Sequence, residues 1–158
     1  MSFMLLGILN SQAAGGGGAG GFDLLQTTTG DSSFSSIDFN SIPDTYNHLH
    51  LRWTAVQASG GSTLNLRLNN VSSGYSWTRI VGSNSSGPST STFTNVTEMP
   101  LSGIGTSSNI LNTGSVDILD FKNASKRTSV TGLLQEANRQ LYLNSFLSPN
   151  NDAISSIQ

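Results

Sequence analysis

His48-Leu49-His50 sets two imidazoles two residues apart, a spacing that puts both on one face of a β-strand, about 7 Å from each other. Such a pair could give a metal two ligands if a carboxylate or a third histidine joined them. The chain has only two histidines, so the plainer reading is two polar residues on a solvated or oligomer-facing strand surface. The absence of cysteine removes thiolate zinc sites, a disulfide framework and a cysteine nucleophile together.

Asp117 and Asp120 in VDILDF fall on opposite faces of a strand, so they are not an acid/base couple of the glycosidase kind. One is expected to temper an exposed face and the other to cap the turn at LDFKNASKR. Asp23, Asp31, Asp38 and Asp44 are scattered near turns without calcium-loop spacing. Serines abound, yet no base and orienting group mark one of them as a nucleophile. The sequence therefore predicts a non-enzymatic protein with no catalytic residue, no metal site and no cofactor. Asn-X-Ser/Thr triplets at Asn70, Asn84, Asn95 and Asn123 arise freely in a chain this rich in those residues.

What remains are surfaces. Tyr75, Trp77 and Arg79 alternate onto one strand face, which could be core, an oligomer seam or a platform for stacking sugars. With His48 and His50 they form the candidate oligomer or glycan surface. Arg52 and Arg67 would be costly inside a sandwich unless paired, so their faces are expected to meet solvent or a neighbouring subunit.

The elements that must position these residues are strands. From Phe22 onward apolar and polar residues alternate with period two in short runs separated by Ser/Gly/Asn/Pro clusters. The predicted strands cover 22–29, 34–39, 48–58, 63–70, 75–82, 92–99, 115–121, 128–134 and 139–146, with no amphipathic helix between them. That pattern predicts an all-β chain, an antiparallel β-sandwich of jelly-roll-like type. Leu49, Leu51 and Trp53 share one face against His48, His50 and Arg52, and Leu64, Leu66 and Leu68 share one against Asn65, Arg67 and Asn69. Asn69, Asn70 and Gly74 supply residues that tolerate positive φ where the chain must turn. Residues 82–92 read as a polar loop, and 101–114 as a second loop that packs in part through Ile104, Ile110 and Leu111.

Charged residues make up 10% of the chain, against a usual ~25%. With a net charge of −2 there is no electrostatic footprint for nucleic acid or anionic lipid. The opening segment MSFMLLGILNSQAAGGGGAGG is too short in its apolar part to span a bilayer, which takes about 20 residues, and no basic residue precedes Arg52 as a secretory signal would require. Of 17 glycines, seven lie in residues 1–21. The sequence reading is thus an extended docking arm and Gly-rich linker over 1–21, followed by a sandwich domain over 22–158. Phe3, Met4, Leu5, Leu6, Ile8 and Leu9 are the partner-docking residues, an apolar plug that would invite aggregation if left in water.

FDLLQTTT, SSIDFNSIPDTYNHLHLRW, LNLRLNNVSSGYSWTRIVGSNSS and GSVDILDFKNASKRTSV, in this order and spacing, resemble a group of small tailed-bacteriophage virion proteins and fibre-tip domains. The elements that carry the likeness are Asp23 to Thr29, Tyr46 to Arg52, Leu66 to Tyr75, and Val116 to Phe121 with Lys122 and Lys126, over about residues 22–135. The resemblance implies a β-sandwich structural protein on the outer surface of a virion, first a capsid decoration protein docked on the shell through its apolar N-terminal arm and second a tail fibre or tail-tip module, with no catalytic residue to carry over. Its implied partners are the major capsid protein or another virion protein, further copies of itself as a dimer or trimer, and, for a tail fibre or tail tip, a host surface glycan. A secreted carbohydrate-binding module is a third reading. Similar proteins usually continue past the position equivalent to Ser155 with another pair of strands, so either a sheet edge is open at 152–157, available to a neighbouring subunit, or the sequence is incomplete at its C-terminus.

Overall fold

The computed structural model describes residues 4–11, 22–30, 35–56, 62–84, 86–104, 111–136 and 140–158. They form ten strands and no helix: β1 (Met4–Ser11), β2 (Phe22–Gly30), β3 (His48–Val56), β4 (Ser62–Leu66), β5 (Tyr75–Gly82), β6 (Ser89–Val96), β7 (Met99–Ile104), β8 (Leu111–Leu119), β9 (Ser129–Glu136) and β10 (Gln140–Leu147). An eight-stranded antiparallel sheet runs in the order β2-β1-β3-β8-β9-β10-β5-β6, and β4 pairs with β7 in a small second sheet. The result is an all-β sandwich with unequal layers.

Alternation drives the packing as the sequence predicts. Leu49, Leu51, Trp53 and Ala55 of β3, Val116 and Ile118 of β8, Val130 and Leu134 of β9, and Tyr142 and Phe146 of β10 are buried on the inner face. Leu66 and Leu68, Met99 and Leu101, and the side chains of Phe39, Ile42, Ile154 and Ile157 close over them in one core. β7 supplies the lid, touching β5, β8, β9 and β10. The turn after Leu68 uses Asn69 and Asn70 at φ 52° and 55°, and Gly74 at φ 85°, the left-handed region that these residue types tolerate best.

Several sequence-predicted boundaries move. Of the strand predicted at 34–39, residue 34 lies outside the described residues and 35–39 do not make a strand; Phe39 forms an isolated bridge to Ile157. Residues 89–91, read as loop, belong to β6, and 101–104 and 111–114, also read as loop, belong to β7 and β8, with 105–110 outside the described residues. The apolar segment read as an extended arm is extended, but its pairing is internal. β1 lies between β2 and β3, with Gly7 opposite both Thr27 and Arg52. Met4, Leu5, Leu6, Ile8 and Leu9 thus sit on a strand paired along both edges, while Phe3 and residues 12–21 lie outside the described residues.

The expected open edge at 152–157 is not there. The backbone of this segment is stitched on two sides: Ile157 exchanges hydrogen bonds with Phe39 at 2.8 and 2.9 Å, and Gln158 with Arg67 at 2.8 and 3.0 Å. The Asn69 side chain clasps it as well, accepting from the Ser155 and Ser156 amides at 2.8 and 3.2 Å. Burial of Ile154 and Ile157 explains why the segment turns inward: two large apolar side chains leave water, and the backbone groups that follow them find partners.

Candidate functional site

The two histidines do share the outer face of β3, but each is tied to β8 rather than to a common ligand. His50 Nδ1 lies 2.6 Å from Asp117 Oδ1, the residue opposite it in register. A carboxylate only accepts, so this nitrogen carries the proton. His48 Nδ1 instead accepts from the Asp120 amide at 2.9 Å, which leaves its proton on the other nitrogen. The Nδ1 of His50 thus donates where that of His48 accepts, and each commits that atom to holding the β3–β8 pair. Asp120, at φ 51° just after β8, also binds Lys126 Nζ at 2.7 Å and Asn123 Nδ2 at 3.1 Å. The Lys126 ammonium, helped by Asn123, holds its carboxyl below the ordinary aspartate value.

Tyr75, Trp77 and Arg79 share a face as expected, and that face turns inward. Tyr75 is wholly buried, so it is core and not a binding surface. Its hydroxyl accepts from the Leu68 amide at 2.8 Å and can donate to the Leu68 or Val71 carbonyl at 3.2 or 3.0 Å. Burial raises its pKa. Trp77 is 8% exposed and stacks on Phe93 of β6, ring centroids 4.4 Å apart. The Arg79 guanidinium lies 5.1 Å from the Trp77 ring and 5.4 Å from that of Tyr142. This aromatic-Arg set packs on itself across β10, β5 and β6 and is not a free stacking platform. Sequence reasoning missed Phe93 and Tyr142 as its members because register between distant strands is not written in either run.

Arg67 is held by Glu98 at 2.9 Å, which meets the requirement that a half-buried arginine be paired. Arg52, by contrast, stands exposed on the outer face of the large sheet.

That face is where the accessible chemistry lies. One cross-strand row traverses all eight strands: Thr27, Gly7, Arg52, Ser115, Leu133, Leu143, Ile80 and Thr90. Its β9-to-β5 part is apolar and open to solvent, with Leu133 52%, Leu143 49% and Ile80 50% exposed, and Leu141 beside them at 53%. The next row holds Thr131, Ser145, Thr78 and Thr92, with the Thr78 and Thr92 hydroxyls 3.1 Å apart. No outward position on β9, β10, β5 or β6 among these rows is charged. Toward β3 and β8 the face hollows into a groove of about 590 Å³ around Arg52, Thr54, Thr113, Ser115 and Gln135.

Among the described residues no helix could cross a membrane and no cluster of three His, Asp or Glu side chains could hold a metal ion. No protein-family model, curated protein or solved structure matches the chain.

Proposed function

We propose that this protein is a non-enzymatic structural subunit of a bacteriophage particle, a capsid decoration protein seated on the shell's outer surface. The observation that carries the reading is the neutral outer sheet face with Ile80, Leu133, Leu141 and Leu143 half-exposed along it. Contiguous apolar patches of this kind mark association surfaces. Here the surround is Thr and Ser, so a partner can cover it without stripping water from charges. The four strands that carry it, β9, β10, β5 and β6, about 4.8 Å apart and ~25 Å long, present roughly 500 Å², the size at which an exposed patch is often functional. The resemblance of residues 22–135 to small phage virion proteins supports the kind of assembly, and the major capsid protein or further copies of this chain are the partners. The seat on the shell is this face in place of residues 3–9, since β1 already has partners on both edges.

The test replaces Ile80 and Leu143 together by Glu and measures incorporation into particles. Both side chains are half in water, so the variant folds, and its occupancy on particles falls at least tenfold. A folded variant that is incorporated at the normal level overturns the reading.

A second reading, a tail module that binds host surface glycan, is favoured by the groove around Arg52.

A further inference from the structure

We infer that the groove on the β3–β8–β9 part of the outer face is a binding site for a saccharide that carries a carboxylate. This rests on the second reading above and gives it a ligand class. The volume of about 590 Å³ falls within the range of small-ligand sites, about 300–1,000 Å³.

Among the described residues Arg52 is the charged group lining this groove, and no acid lines it. The other described arginines are engaged: Arg67 with Glu98, Arg79 over two aromatic rings, and Arg127 on the Ser148 and Gly74 carbonyls. The acid closest in register, Asp117, is bound by His50. Arg52 has neither ion pair nor hydrogen bond among the described residues, so its fork of donors is available for one carboxylate. Gly7 lies in register between Arg52 and Thr27.

The rest of the lining suits hydroxyls. Ser115 lies opposite Arg52, and Thr113 lies opposite both Thr54 and Gln135. Their side chains form no hydrogen bond within the described structure, and each both donates and accepts, as every sugar hydroxyl does. Leu133 and Leu141 stand half-exposed along one side, an apolar wall for the C–H face of a sugar ring. An acidic peptide fits less well. On the face of a sheet the protein's own amides and carbonyls are consumed in the ladders, so a peptide backbone lying there would find few partners for its own. Nucleic acid, charged at every residue, is poorly matched to a single cation.

The site shares Leu133 and Leu141 with the face proposed to sit on the shell, and its polar part stands clear of Ile80 and Leu143. Arg52 on β3 is three strands from Leu143 on β10, or about 14 Å, and four from Ile80 on β5, or about 19 Å. An open groove without an aromatic platform binds weakly, with a dissociation constant on the order of millimolar.

Isothermal or NMR titration of the full chain with trigalacturonate, neutral galactotriose and triglutamate tests the inference. Saturable binding of trigalacturonate is expected, at least tenfold tighter than galactotriose or triglutamate. Arg52→Gln brings trigalacturonate to the galactotriose level, Ser115→Ala weakens both sugars, and the Ile80/Leu143 double Glu variant binds as the parent does; thermal midpoints establish that each is folded. Equal binding of the two sugars, or a folded Arg52→Gln that keeps its affinity, overturns the carboxylate site and leaves the glycan reading standing. Triglutamate binding as tightly as trigalacturonate overturns the choice of saccharide. If neither sugar binds, the inference and the glycan reading fail together.

Discussion

Gly114 lies directly opposite Trp53, and the indole ring occupies the space that a side chain at position 114 would need. A Cβ there would collide with three ring carbons of a tryptophan that is 3% exposed. Gly114→Ala is therefore expected to cost about 1–3 kcal/mol through overpacking, seen as a lower urea midpoint. In a Trp53→Leu background the same substitution costs less, and the difference between the two backgrounds measures the contact.

Tyr75→Phe leaves the buried Leu68 amide without its acceptor. A loss of about 1–3 kcal/mol is expected, read by chemical denaturation. The parent has a further signature above pH 10. Its folded-state phenol ionises at higher pH than in the unfolded chain, so the stability it contributes is whole below the unfolded value of 10.0 and is lost as pH rises through the raised one. Tyr75→Phe removes that alkaline limb.

Asp120 works in the opposite direction. Its folded-state carboxyl sits below the unfolded value of 3.8 because Lys126 and Asn123 bind its charged form. The contribution is present above that value and is lost as pH falls through the lowered one. Asp120→Asn keeps a residue that tolerates φ 51° while removing the charge. A shallower acid limb as pH falls below the unfolded value of 3.8 is the expected result, measured by urea midpoint against pH.

Ile157→Ala opens the core where Phe39 and Leu68 meet it. A cost of about 2–5 kcal/mol is expected, with amide exchange quickening at Phe39 and Arg67 before it does on β8 or β9.

Deleting residues 4–11 removes a strand between β2 and β3. Loss of particle binding after that deletion would report damage to the sheet as readily as loss of a docking segment, which is why substitutions at Ile80 and Leu143 are the cleaner probe.

Strand content was legible in the chain wherever period two is clean. Tyr75–Gly82 was read with its bounds, and so were the faces of β3 and β4 and the left-handed turn at Asn69-Asn70. β1 was not, because an unbroken apolar run carries no alternation and looks the same as a plug or a paired strand. Pro100 and Gly103 hid β7, a two-residue signature of loops that the short sheet tolerates. At β5 alternation separated Trp77 from Ile80 without saying which looks inward, since both faces carry large apolar groups. The groove was beyond reach for a different reason: Gly7, Arg52, Ser115 and Leu133 meet only through pairings between strands far apart in sequence.

The stitching of Ile157 to both Phe39 and Leu68 also sets when the molecule can come together. Chains emerge from the ribosome at about 5–20 residues per second, and domains ordinarily begin to fold from the front. Here the segments around residues 39 and 68 wait for a clasp made nearly ninety positions after the second of them. Until it arrives, the apolar inner face of the large sheet lacks the cover that Ile154 and Ile157 give it, so the core closes late and the nascent protein is at its most aggregation-prone in that interval.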